Sequence, residues 1–144
     1  MEETSRQTPE VSLERAFLRA AADLDYEDPR ARVVAEALRH LQRGFEAHYG
    51  GGTGAVTDDG VLEGDHDYAL SVETIARLDE PRFVAVAGRM IRDGAGLISD
   101  GQPVTAETWT PHLAGLLDII SDEGPERSQQ RVRKAIRRLR GNLG

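Results

Sequence analysis

Apolar residues recur along this chain at three- and four-residue steps, segment after segment. They never alternate through a β-branched run. That period suits helices that hide one face, and it argues against strands. After Ser12, a residue able to cap a helix, Leu13, Ala16, Phe17, Ala20 and Leu24 share one face. Asp28-Pro29 reads as a cap followed by a first-turn proline, where a missing amide hydrogen costs nothing. The second stripe is Val34, Leu38, Leu41, Phe45 and Tyr49, closed by Gly50-Gly51-Gly52. Residues 50–65 read as a polar, glycine-rich loop with the acids Asp58, Asp59, Glu63 and Asp65. Asp65 is the expected cap of a third helix, with Tyr68, Ala69, Val72, Ile75 and Ala76 on its inner face.

A fourth helix is expected from Glu80-Pro81, with Phe83, Val84, Ala87, Ile91, Ala95 and Ile98 as its stripe and Asp100-Gly101 as its stop. Gly88, Gly94 and Gly96 weaken it but permit close approach of a neighbour. Thr105 is expected to cap a short turn. The main fifth helix should start at Thr110-Pro111 and present Leu113, Leu116, Leu117 and Ile120. Gly124-Pro125 opens a sixth. The expected fold class is all-α: a compact antiparallel bundle or orthogonal array of five or six helices, without significant β-sheet. The expected organisation is a disordered tail over 1–11 and one helical domain over 12–144, its basic C-terminal helix spanning 125–142.

Charge is unevenly spread. From Pro125 to Gly144 the basic residues Arg127, Arg131, Arg133, Lys134, Arg137, Arg138 and Arg140 face one acid, Glu126, a local net of +6. The whole chain is −7, which leaves −13 on residues 1–124. Such a block on an acidic body points to an anionic partner or to the protein's own carboxylates. Val132, Ile136, Leu139 and Leu143 fall at i, i+4, i+7 and i+11, so the helix can dock by an apolar stripe and offer its cations on the other side. Arginine's planar fork suits phosphate oxygens.

Cysteine is absent, which excludes disulfides, thiol catalysis and thiolate metal sites. That fits a reducing cytoplasm. No apolar run reaches the ~18–20 residues of a membrane span, and the acidic start MEETSRQTPE is unlike a signal peptide. Arginine far outnumbers the single lysine, Lys134, as in GC-rich bacterial genomes.

Several constellations touch on catalysis. Arg43-Gly44-Phe45-Glu46-Ala47-His48 is similar to the R-x4-6-H motif of the all-helical HEPN ribonucleases. The resemblance implies Arg43 stabilising a phosphate and His48 acting as general acid or base at the ribose hydroxyl. His66-Asp67 resembles the metal-binding pair of the HD phosphohydrolases, and implies His40 or His48 as an earlier ligand and Asp118 as a later one. Gly50-Gly51-Gly52-Thr53-Gly54-Ala55 fits a dinucleotide fingerprint in letters only, since it follows a helix rather than a strand. Asp58, Asp59, Glu63, Asp65 and Asp67 lack calcium-loop spacing and are read as solubilising. His112 is expected at the surface, and Trp109 in the core.

These readings favour a non-catalytic helical subunit with no cofactor and no metal. The expected partner is nucleic acid or a nucleoprotein complex, bound through Arg127, Arg131, Arg133, Lys134, Arg137, Arg138 and Arg140. Small helical subunits of CRISPR effector complexes are the architectural parallel. The alternatives are a protein-interaction module that binds other subunits or a second copy, and a HEPN-like ribonuclease using Arg43 and His48. No membrane association is expected.

Overall fold

A computed structural model describes residues 11–48 and 58–143, with the side chains of Asp58, Asp59, Asn142 and Leu143 left outside that description. The ten N-terminal residues, Tyr49 and the glycine run from Gly50 therefore lie outside the described residues. Six helices follow in order: α1 Leu13–Ala22, α2 Arg30–His48, α3 Asp58–Ala76, α4 Pro81–Ser99, α5 Ala106–Ser121 and α6 Pro125–Leu143. There is no strand among the described residues. Each helix packs on the next, and α6 returns to α1 to close a ring. Further contacts of α1 and α2 with α5 fill the middle.

The caps are local chemistry. Ser12 Oγ accepts from the Arg15 amide at 3.2 Å, satisfying one of the free donors of α1's first turn. The Leu13 amide instead donates across to Gln42 Oε1 of α2, at 2.8 Å. Asp28 Oδ1 accepts from the Arg30 amide at 2.9 Å, and Pro29 sits between them as expected. Gly101 and Gly124 take positive φ at the ends of α4 and before α6, a region open to glycine because it has no Cβ.

The core gathers Phe17, Leu41, Phe45, Phe83, Met90, Trp109, Leu113, Leu116 and Leu117, all almost completely buried. Trp109 stacks on Phe45 with ring centroids 4.9 Å apart, and Phe45 meets Tyr68 edge-on at 5.4 Å. Trp109 is thus the core anchor that its uniqueness suggested. Gly94 lets α4 approach this stack: a methyl there would strike Phe45 and lie 3.0 Å from Trp109 Cη2. Gly88 and Gly96 have nothing within 4 Å and permit no such approach, contrary to expectation. Val11, assigned to the tail from sequence, is buried against this core.

Three expectations are corrected. First, α3 starts at Asp58, so the expected loop is helical over its last eight residues and Asp65 lies inside a helix rather than capping one. Second, its buried face is Gly64, Ser71, Thr74 and Ile75, while Ala69 and Ala76 are exposed. The cause is close packing: α2 crosses α3 at Gly44 and Gly64, where an added Cβ on either would sit about 3 Å from the other's carbonyl oxygen. Small and hydroxylated residues replace the apolar stripe there, and the Ser71 hydroxyl donates to the Tyr68 carbonyl at 2.7 Å. Third, α5 begins at Ala106, and Pro111 stands inside it. The Thr105 amide donates to Thr108 Oγ1 at 3.3 Å. Thr110, expected as a cap, is a helical residue whose hydroxyl donates to the Ala106 carbonyl at 3.1 Å. In α4 the inward stripe includes Val86 and Met90, whereas Ala95 is exposed.

Candidate nucleic-acid interface

Rotation about α6 decides what its cations meet. Val132, Ala135, Ile136 and Leu139 are buried, with Ser128 beside them, and they seat the helix between α5 and α1. At 3.6 residues per turn, Arg131 and Arg140 border this stripe on opposite flanks. Both turn to the protein's own body. Arg131 donates from Nε and Nη2 to the two Glu123 oxygens at 2.7 and 3.0 Å, and from Nη1 to the Asp23 carbonyl at 2.9 Å. Its side chain is only 14% exposed. The guanidinium hydrogen bonds hold the Glu123 carboxyl below its ordinary pKa, although burial opposes this, and Arg127 adds to the lowering. Arg140 lies 3.6 Å from Glu107 of α5.

The other five, Arg127, Arg133, Lys134, Arg137 and Arg138, are exposed. Among the described residues none of them makes an ion pair. They spread over an arc of about 140° along the outer side of the helix. The seven cations expected as one face therefore divide into two that fasten the helix and five that project from it. Among the described residues neither Asp118 nor Asp122 forms an ion pair with these cations. Asp118 Oδ1 accepts from the Gly124 amide at 2.7 Å, fixing the turn into α6.

Two grooves flank this ridge. One, of about 360 Å³, lies between α5 and α6 and is lined by Glu107, Thr110, Pro111, Gln129, Arg133, Ile136, Arg137 and Arg140. The other, of about 350 Å³, runs along the end of α1 and is lined by Asp23, Arg127, Gln130, Arg131 and Lys134. Sequence patterning located the cations but not the grooves. The missed signal is Pro111, which reads as a helix start and is instead an interior proline on a groove wall.

The catalytic candidates are not assembled. Five residues apart, Arg43 and His48 point about 140° away from each other on α2. Arg43 is exposed and lines a groove of about 570 Å³ with Glu46, Ala47, Leu62, Glu63, His66 and Asp67. His48 instead stacks on Tyr68 with centroids 5.1 Å apart, its Nε2 3.3 Å from Asp65 Oδ1. His66 is thus mid-helix rather than at a helix start. His40 lies 3.9 Å from Glu36, while Asp118 is engaged at the α5–α6 turn. Among the described residues no group of three or more His, Asp or Glu side chains is placed to hold a metal ion. His112, expected at the surface, is largely covered, and its Nε2 lies 2.9 Å from Asp93 Oδ2, tying α5 to α4. No helix among the described residues is long and apolar enough to cross a membrane. The chain matches no family model, no curated protein and no solved structure.

Proposed function

We propose that this protein is a non-catalytic helical subunit that binds the phosphate backbone of nucleic acid, free or within a nucleoprotein assembly, through the outer face of α6. One observation carries the reading: Arg127, Arg133, Lys134, Arg137 and Arg138 project together and none makes an ion pair among the described residues, Arg127 alone lying near enough to Glu123 to lower its pKa. Folding alone gives no reason for this. Arg133 and Arg137, and Lys134 and Arg138, are like-charged pairs four residues apart, each unfavourable by about 0.2–0.5 kcal/mol. A merely solvated helix would intersperse acids to relieve that repulsion, but Glu126 is the only acid in α6. An external polyanion relieves it directly. The lack of cysteine agrees with work in a reducing cytoplasm.

The test is an anisotropy titration of a labelled 20-mer at low and moderate salt, against the variant Arg133→Ala/Lys134→Ala/Arg137→Ala/Arg138→Ala. All four side chains are exposed, so the variant folds. Its affinity should fall at least 100-fold at low salt. Equal affinity of the two proteins would remove α6 from the interface.

A second surface supports membership of an assembly. Leu62 is 68% exposed, and it shares a groove with Glu46, Glu63 and Asp67. Arg43 and His66 line the same groove, and an exposed apolar residue among charges of both signs suits a protein neighbour. Cross-linking from a cysteine placed at Leu62 would capture that neighbour, and the Leu62 groove plays no part if α6 binding is the only association found.

A further inference from the structure

Nucleic-acid backbone contact by itself needs only a ridge of cations. The α5–α6 groove offers more than that. We infer that it is a nucleotide site, which seats one unpaired base of the strand whose phosphates lie on α6. This rests on the reading of α6 given above and adds a preference for single strands.

The groove shares Arg133 and Arg137 with the phosphate-binding ridge, so a strand lying on one already borders the other. Its chemistry is divided along its length. The short α5–α6 connection makes these helices antiparallel, which puts Arg137, Arg140 and Glu107 at one end and Gln129 at the other. Pro111 and Ile136 give the middle an apolar surface. Guanidinium groups take phosphate oxygens or stack flat on a base. The primary amide of Gln129 can both donate to and accept from a base edge. Glu107 lies 3.6 Å from Arg140 at that end.

Pro111 is a second, independent pointer. It lies beyond the first turn of α5, where proline removes the N–H hydrogen bond to the carbonyl four residues earlier. Alanine would fit the helix better, and Pro111 is exposed rather than needed in the core. A local rule broken at the wall of a groove is the mark of a site kept for binding. The rigid pyrrolidine ring presents a flat apolar surface against which a base can lie.

Size and shape agree. At about 360 Å³ the groove is at the lower end of small-molecule sites, suited to one nucleotide unit. Bases in a duplex are stacked inward and enter a side groove only at the cost of unpairing and unstacking; unpaired bases enter without it. The companion groove beside α1 is lined only by Asp23, Gln130 and cations, with no apolar wall, and can take phosphate alone.

The experiment compares three anions of equal charge at one salt concentration: a single-stranded 12-mer (as DNA and as RNA), a duplex closed by a non-nucleotide linker so that no base is unpaired, and inorganic polyphosphate. The single strand should bind at least tenfold tighter than the other two. Pro111→Ala should raise Tm yet weaken single-strand binding fivefold or more, leaving polyphosphate binding unchanged. Gln129→Ala should do the same to binding. Equal affinities for all three anions, or a preference untouched by both variants, would overturn the nucleotide site while leaving the phosphate-binding ridge standing. Binding of none of them would remove both.

Discussion

The Arg131 guanidinium joins two distant parts of the chain: it donates to the backbone carbonyl of Asp23, 108 residues earlier, while gripping Glu123, eight residues before it. Asp23 caps α1, so one side chain of the last helix satisfies a carbonyl at the end of the first. Arg131→Ala should lower Tm by about 3–6 °C. Arg138→Ala, exposed and without an ion pair, should stay within about 2 °C of the parent. Thermal melts followed by circular dichroism measure both, and similar shifts would mean that Arg131 does not fasten α6.

Binding to nucleic acid should carry the signature of five contacts rather than seven. The slope of log affinity against log salt is expected between about −3.5 for single strands and −4.5 for duplex. Each of Arg133, Lys134, Arg137 and Arg138 changed singly to alanine should flatten the slope by roughly 0.7–0.9. Arg131→Ala should leave it unchanged. A slope near zero would show that phosphate contacts contribute nothing.

The crossing of α2 over α3 makes a prediction of opposite signs. A methyl at Gly64 would strike the His48 ring and lie 3.0 Å from the Gly44 carbonyl oxygen, so Gly64→Ala should destabilise by about 1–3 kcal/mol despite its better helix propensity. Gly88→Ala, in α4 with open space around it, should instead stabilise by about 0.5–1 kcal/mol. Urea midpoints decide, and a stabilising Gly64→Ala would refute backbone contact at this crossing.

These glycines also show what the sequence conceals. Helices α1, α2 and α6 follow their apolar stripes, because leucine, valine and phenylalanine do the packing and leave a period. Where two backbones touch, the buried residue is Gly64 or Ser71, and its type resembles that of a loop. The apolar pattern therefore places the start of α3 eight residues late. Pro111 misled in the same way, since a proline marks a helix start far more often than an interior. At the candidate interface the cations were legible as a block. Their division was not, because it depends on Glu123, the Asp23 carbonyl and Glu107, which only the tertiary fold brings near.

Acid should weaken the protein through three paired carboxylates. Hydrogen bonds from Arg30 lower the pKa of Asp28 against the opposing effect of burial, and those from Arg82 and Arg131 lower Glu80 and Glu123. A carboxyl with a lower pKa when folded gives stability that is present above its ordinary value and lost as pH falls through the folded value. Tm should therefore decline from about pH 5 downward. Asp28→Asn, which keeps a capping side chain but no charge, should make that decline shallower. An unchanged pH profile in this variant would show that the Arg30 pair adds nothing.

The ring of helices closes through α6 against α1, the pair most distant in the chain. During synthesis on a ribosome, α1 leaves the exit tunnel long before the helix that covers it. The side of α1 that α6 covers must wait, exposed or held by a chaperone, until more than a hundred further residues are made. The segment that completes the core is also the one that carries the cations. A nascent chain therefore cannot present the organised basic ridge before the fold that supports it is finished.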